Sequence, residues 1–140
     1  MTPREVFERL IAGVTGGDWD ALPGLYAEDA VVVHPMAASR EPLVGREALR
    51  RHFAAGAELP VRMSARDVVV HETADPEVVI GEFAYVGEVT TTGRPFTVRN
   101  VFVLRVRDGL IVESRDYADH LRFGVAIGRP PAADAAGSMS

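Results

Sequence analysis

The chain has 140 residues, of which 47% are hydrophobic and 25% are charged, and its formal net charge is −5. This length is typical of one domain, and this composition is typical of a globular rather than a disordered protein. The negative charge disfavours a nucleic-acid-binding protein, which needs a basic surface to displace counterions from phosphates. The absence of cysteine excludes a disulfide framework, a thiolate nucleophile and a thiolate metal site.

The sequence gives no sign of a membrane or secreted protein. No apolar run approaches the ~20 residues that span a bilayer. Acidic residues stand near the start, where a signal peptide would carry its apolar stretch. We therefore expect a cytoplasmic protein that binds neither membranes nor nucleic acid.

The first part of the chain predicts three helices and one short strand. Apolar residues recur at helical spacing over residues 3–14, and two glycines then end that helix. Asp18 can cap a short second helix that continues to Tyr26. A β-branched run over residues 30–34 predicts a strand, a loop follows, and a third helix begins at Gly45 and carries Phe53.

From Val61 onward the pattern changes from helical to strand-like. Turn residues at 92–95 and 107–109 separate the last segments and predict hairpins, so the second half should be an antiparallel meander. Helices followed by a curled sheet indicate an α+β protein. The predicted strands, rich in Val, Ile, Phe and Tyr, cover residues 62–71, 77–89, 97–106 and 110–117.

Common catalytic motifs are missing from the sequence. It has no phosphate-binding loop, no dinucleotide glycine fingerprint, no HExxH and no GxSxG. Its four histidines show no pair at metal-ligand spacing, so we expect no metal site. Of these, His52, His71 and His120 are expected to be solvated.

Strand parity groups the candidate polar residues, because alternate side chains face opposite sides of a sheet. Parity alone leaves open which face is the inner one. The pairs that share a face are Asp116 with Ser114, Asn100 with Phe102, and Tyr85 with Phe83.

Three segments resemble the nuclear-transport-factor-2-like superfamily, within it the SnoaL-like and ketosteroid-isomerase-like bacterial members. Residues 17–30 (GDWDALPGLYAEDA) resemble the early helices, residues 45–49 (GREAL) the third helix, and residues 108–117 the closing hairpin and last strand. The resemblance covers about residues 3–123. It implies a cystatin-like α+β barrel, a cone-shaped, mostly antiparallel sheet wrapped around three N-terminal helices. We place this domain at residues 1–127 and a disordered C-terminal tail at 128–140, where two prolines precede small residues.

The resemblance assigns positions to two polar residues. His34 falls where ketosteroid isomerases place their general-base aspartate. Asp116 falls on the inward aspartate of an Arg-Asp-Tyr motif, which limonene-epoxide-hydrolase-like members use to handle the attacking water. SnoaL-like cyclases use an acid/base aspartate in the same general region.

The chain departs from two mechanisms of the superfamily. Phe102 and Leu10 replace the acid and the tyrosine of the isomerase oxyanion hole, which disfavours steroid isomerisation by that route. Phe83 and Tyr85 stand where the epoxide hydrolases keep an arginine and an aspartate. Of the three residues of that site, only the aspartate at position 116 remains. Epoxide-hydrolase-like activity is therefore kept only as an alternative.

The resemblance further implies an apolar pocket inside the cone, as is usual for small-molecule sites. Asp116 would be the principal acid/base, and His34 its partner or a second proton carrier. Burial would raise the pKa of Asp116 and lower that of His34, whereas pairing would oppose both changes. Tyr85 and Asn100 would donate hydrogen bonds to a carbonyl or enolate oxygen. Substrate-binding residues would be Val32, Phe53, Phe83 and Phe102.

We therefore expect a cofactor-independent enzyme acting on a small, apolar, carbonyl-bearing substrate by isomerisation, cyclisation or dehydration, in specialised metabolism. The alternatives are a non-catalytic domain that binds a hydrophobic ligand or templates its shape, and a pure dimerisation module. The outer face carries an apolar strip of Val101, Val103 and Tyr117. Because relatives pair through that convex surface, we expect a homodimer.

Overall fold

The computed structural model describes residues 1–129, so the predicted tail lies almost entirely outside the described residues. The helices and strands follow one another along the chain. They are α1 (Pro3–Gly16), a 3₁₀ helix (Trp19–Leu25), β1 (Tyr26–Val33), β2 (Leu43–Val44), α2 (Arg46–Ala57), β3 (Val61–Glu72), β4 (Val78–Val89), β5 (Pro95–Arg107), β6 (Leu110–Ala118) and α3 (His120–Ala126).

The six strands form one curved sheet in the order β2-β1-β6-β5-β4-β3. Neighbouring strands are antiparallel except β1 and β6, which run parallel. The predicted α+β class and the antiparallel meander of the four long strands are confirmed. The sheet is not closed into a barrel, because β2 and β3 remain as its two edges.

Helix α1 fills the concave side of the sheet. Thr2 caps its first turn in a reciprocal capping box with Glu5, and Gly17 ends it in the left-handed conformation. Its apolar face is buried, and Phe7 lies against the backbone of Gly81. A Cβ at position 81 would stand 2.1 Å from Cζ of Phe7, so only glycine leaves room for that ring.

Strand parity is confirmed on β5 and β6. Asn100 and Phe102 point inward from β5, and Ser114 and Asp116 point inward from β6. The alternate position Val101 is 36% exposed on the outer face. Packing of α1 on the sheet therefore decides which of the two parities is the inner one.

Several local predictions differ from the structure. The second helix is a 3₁₀ helix that ends at Leu25, and Asp18 precedes it without a side-chain capping bond. Pro23 lies inside this segment and lacks the amide hydrogen that a longer helix would need. Strand β1 accordingly begins at Tyr26 rather than at residue 30. The predicted loop contains the short β2, and α3 was not predicted.

Candidate functional site

Asp116 lies on the inner face of β6 and is 3% exposed. Its Cα is paired with that of Phe102 on β5, so an aromatic side chain flanks the carboxyl group. The hydroxyl of Ser114, two residues earlier on the same face, donates a hydrogen bond to Oδ1 of Asp116. Burial raises the pKa of Asp116 to about 7, although the hydrogen bond from Ser114 opposes that rise.

His34 follows the end of β1, directly across from Asp116. Parallel pairing of Val33 with Arg115 sets this register. Nε2 of His34 lies 3.8 Å from Oδ2 of Asp116, beyond hydrogen-bonding distance. This atom is buried and makes no hydrogen bond within residues 1–129.

Burial, together with the neighbouring His52 and His120, lowers the pKa of His34 to about 3. The sequence left open whether burial or pairing would dominate in this His–Asp pair. Both pKa values move in the direction that burial dictates, so desolvation outweighs pairing. His34 is therefore a neutral imidazole at physiological pH.

Tyr85 and Asn100 lie close together on adjacent strands. Tyr85 is paired with Val98, and Asn100 stands two residues further along the same face of β5. Within the described part of the chain, the Tyr85 hydroxyl and Oδ1 of Asn100 are buried without hydrogen-bond partners. Nδ2 of Asn100 already donates to the carbonyl oxygen of Val98 at 3.1 Å. Buried polar atoms without partners are costly, which marks this corner as a place for a polar ligand group.

The Tyr85 hydroxyl remains protonated at neutral pH. Burial raises its pKa far above the usual value, and the nearby Asp116 carboxylate raises it further. Tyr85 can therefore donate a hydrogen bond. Asn100 presents an acceptor oxygen, whereas the sequence predicted a donor.

The space next to Tyr85 and Asn100 is a cavity of only about 10 Å³. That volume holds about one water molecule. Helix α3 closes it with His120 and Phe123. Small-molecule sites usually have volumes of roughly 300–1,000 Å³. The pocket expected from the sequence is therefore closed in this conformation.

The residues predicted to bind substrate form the packed interior around this cavity. The Phe83 ring lies 5.0 Å from that of Phe102, and the Phe53 ring lies 5.9 Å from that of Tyr26, between ring centres. Each of these predicted substrate-binding residues is at least 96% buried, and none of them lines the small cavity. They are Val32, Phe53, Phe83 and Phe102.

The family follows from comparison with known proteins. The SnoaL-like domain model matches residues 7–114. The chain belongs to the SnoaL-like family. It is 33% identical over 136 residues to an uncharacterized PhzA/B-like protein of Pseudomonas aeruginosa, and the match covers 95% of each chain.

Solved structures share the fold of this SnoaL-like chain. One is a Bacillus subtilis protein provisionally described as an isomerase, with a TM-score of 0.82, 28% identity and coverage of 91% and 93% of the two chains. Another is a Xanthomonas campestris protein provisionally described as a polyketide cyclase, with a TM-score of 0.75, 21% identity and coverage of 90% and 96%. The second likeness shows the fold alone. Family and fold thus agree with the resemblance found in the sequence.

Two histidines of this SnoaL-like chain were wrongly predicted to be solvated. His120, the first residue of α3, is 4% exposed and lies 5.8 Å from His34 between ring centres. His52 on α2 is half-buried, and its ring centre lies 5.3 Å from that of His34. His52 follows the buried Leu49 at helical spacing, which was a usable signal. His71 is exposed, as predicted.

An open groove of about 710 Å³ runs along the outer face of the sheet, and its lining also includes the buried Phe83, Asn100 and His120. A cross-strand row of Val69, Glu82, Val101 and Tyr117 runs along it. Val69 and Val101 are exposed, and Tyr117 is half-buried. Of the predicted strip, Val101 is exposed on the outer face and Val103 and Tyr117 are half-buried there, and the acidic Glu82 separates Val101 from Val69.

Two further observations concern residues 1–129 only. No group of three or more His, Asp or Glu side chains there is placed to hold a metal ion. No helix in this range is long and apolar enough to cross a membrane.

Proposed function

We propose that this SnoaL-like protein catalyses proton transfer on a small, apolar, carbonyl-bearing substrate, with Asp116 as the acid/base. The observation that carries the proposal is the setting of Asp116, which lies in an apolar interior with one hydroxyl partner and has a pKa of about 7. A general base is most effective when its pKa lies near the working pH. An ordinary surface aspartate would be far too weak a base.

The neighbouring polar groups suit an enolate intermediate. The Asp116 carboxylate would take a proton from the carbon next to the substrate carbonyl. The electron pair of that C–H bond would then move to the carbonyl oxygen, where the Tyr85 hydroxyl donates a hydrogen bond. Return of the proton to another carbon gives isomerisation, attack on a second carbonyl gives cyclisation, and loss of a β-hydroxyl gives dehydration.

Substrate binding requires α3 to move, because the cavity holds only about one water molecule. Phe123 and Ala126 of α3 pack in a small apolar cluster with Phe96, separate from the main core. Displacing α3 would therefore leave the core around α1 intact. Such closing elements commonly exclude water from active sites.

The test compares Asp116→Asn with the matched control Asp67→Asn, which changes an exposed carboxyl group. Hydrophobic ketones and polyketide fragments are screened as substrates. Asp116→Asn should lower kcat about 100-fold or more, since positioned acid/base groups contribute roughly 10²–10⁴-fold. The wild-type kcat/KM should rise with pH through about 7, where Asp116 ionises. Equal rates in the two variants, or a flat pH profile, would contradict the proposal.

A second candidate function is non-catalytic binding of a hydrophobic metabolite. The observation in its favour is that Phe102 and Leu10, both buried apolar residues, stand where ketosteroid isomerases keep oxyanion-hole groups. In that case ligands would raise the melting temperature, and any turnover would be insensitive to Asp116→Asn. Epoxide hydrolysis remains a lesser alternative, to be separated by assays with epoxide substrates.

We also propose that two copies of the chain associate through the outer face of the sheet. The exposed Val69 and Val101 lie there on either side of the acidic Glu82, and the basic Arg99 lines the same groove. A twofold arrangement can place opposite charges of such a patch against each other.

A further inference from the structure

The side-chain amide of Asn100, on the inner face of β5, has a fixed orientation. Its Nδ2 donates a hydrogen bond to the carbonyl oxygen of Val98 at 3.1 Å. Turning the amide by half a revolution would set Oδ1 against that carbonyl oxygen, and two acceptors repel each other. The nitrogen therefore stays with Val98, and Oδ1 is left for a different partner.

Two buried polar atoms beside each other lack hydrogen-bond partners within residues 1–129. They are Oδ1 of Asn100 and the hydroxyl of Tyr85, and both residues are 3% exposed. Such atoms destabilise a fold, so native proteins keep them where a ligand or a water molecule completes them. The two atoms need opposite partners, because Oδ1 can only accept a hydrogen bond whereas the hydroxyl has a proton to donate.

Both side chains line the same small cavity under α3. Asp119 lines it too, but its carboxylate already accepts a hydrogen bond from the backbone amide of Arg122 at 2.9 Å. A ligand group that reaches this cavity therefore meets one donor and one acceptor in largely apolar surroundings. The apolar lining residues are Met63, Val98, Ala118 and Phe123.

We propose that the substrate carries a hydroxyl group close to its carbonyl group, and that Oδ1 of Asn100 accepts a hydrogen bond from this hydroxyl. The inference rests on the proposed function, in which the Tyr85 hydroxyl donates to the carbonyl oxygen of the substrate. Because both side chains line one small cavity, the two substrate groups stand on the same or on nearby carbon atoms. The substrate class is therefore narrowed to α- and β-hydroxy ketones, and Asn100 is a specificity residue.

The size of the cavity supports selection for a hydroxyl group. Its volume of about 10 Å³ matches one water molecule. A hydroxyl that takes the place of a water molecule keeps the hydrogen bond to Oδ1, whereas a hydrogen atom or a methyl ether does not. A site that is built to bind a hydroxyl rejects the analogue without it by factors of up to about 10⁴–10⁵, because its own polar group is left buried and unpaired.

The experiment measures dissociation constants by calorimetric titration, so it does not depend on turnover. The probes are phenacyl alcohol, an α-hydroxy ketone, and β-hydroxypropiophenone. Each is compared with the ketone that lacks the hydroxyl, acetophenone or propiophenone, and with its own methyl ether. The test variants are Asn100→Leu, which is similar in size but has no Oδ1, and the smaller Asn100→Ala.

Two further variants serve as controls. Tyr85→Phe removes the donor hydroxyl and keeps the ring, so it should weaken binding of each hydroxy ketone and its deoxy analogue alike. Thr97→Val changes an exposed position on β5 and should leave every dissociation constant unchanged.

At least one hydroxy ketone should bind the wild type about tenfold or more tightly than both of its analogues, in keeping with one buried hydrogen bond. Both Asn100 variants should lose this preference, whereas Tyr85→Phe should keep it. A wild type that binds neither hydroxy ketone, or binds each no better than its analogues, would overturn the hydroxyl site. A preference that survives in the Asn100 variants would do the same.

These results are separable from the outcome for Asp116. Loss of the hydroxyl site would leave the proposed acid/base standing, because that role is tested by the rate of Asp116→Asn. A preference that depends on Asn100, together with turnover that ignores Asp116→Asn, would instead overturn the proposed function and leave the hydroxyl site.

Discussion

Replacement of Asp116 by asparagine should stabilise the protein, and the gain should depend on pH. Burial raises the pKa of this carboxyl group from 3.8 to about 7 in the folded state. One pKa unit corresponds to ~1.4 kcal/mol, so the ionised carboxylate costs about 4 kcal/mol of the free energy of unfolding. The folded state binds the proton more tightly than the unfolded state. The wild type is therefore penalised progressively as the pH rises from about 4 to about 7.

The assay is urea denaturation of wild type and Asp116→Asn from pH 5 to pH 9. The difference in the free energy of unfolding should increase in favour of the variant by about 3 kcal/mol between pH 5 and pH 8. It should be flat above pH 8. Titration of the buried histidines affects both proteins alike, so it cancels in the difference.

The control is Asp67→Asn, because the Asp67 carboxyl group is exposed to water in the folded protein. The difference in the free energy of unfolding between Asp67→Asn and the wild type should change little over the same pH range. If the Asp116→Asn difference is equally flat, burial does not desolvate the Asp116 carboxyl group. The case for Asp116 as a base near neutral pH would then be lost. A stabilising but inactivating substitution is the usual signature of a residue kept for function.

Two other predictions follow from α3 and from the outer face. Phe123→Ala should lower the free energy of unfolding by roughly 3–5 kcal/mol, because it removes a buried aromatic ring. It should also enlarge the cavity beside Tyr85, which would be detected as new binding of a hydrophobic dye. Unchanged dye binding would show that α3 does not close the site. Val101→Glu should convert a dimer into monomers in light scattering, because it places a second negative charge beside Glu82 on the proposed interface. Val44→Glu, at an exposed valine of the edge strand β2, serves as the comparison. A wild-type protein that is monomeric would refute the proposed interface.

The sequence was most informative where buried and exposed residues alternate regularly or where turn residues stand close together. Alternation along β5 and β6 placed Asn100 and Asp116 on the inner face once α1 was known to cover it. Turn residues at 92–95 set the hairpin between β4 and β5. These features depend on neighbours along the chain, so local chemistry is enough to predict them.

The missed elements are those that local signals specify weakly. Helix α3 has seven residues, too few for a clear helical period, and it is held by packing of Phe123 against Phe96 at 5.5 Å between ring centres. That packing also buries His120, which looked like a surface residue from its sequence context. Short helices depend on tertiary contacts more than on intrinsic propensity.

The sequence by itself determined that this chain is one α+β domain of a recognisable family, with an aspartate on one face of its last strand. Only the tertiary structure decided what surrounds that aspartate. Parallel pairing of β1 with β6 brings His34 to Asp116, and α2 brings His52 to His34. Desolvation, which sets the pKa values of these groups, depends on every element packed around them and not on any local pattern.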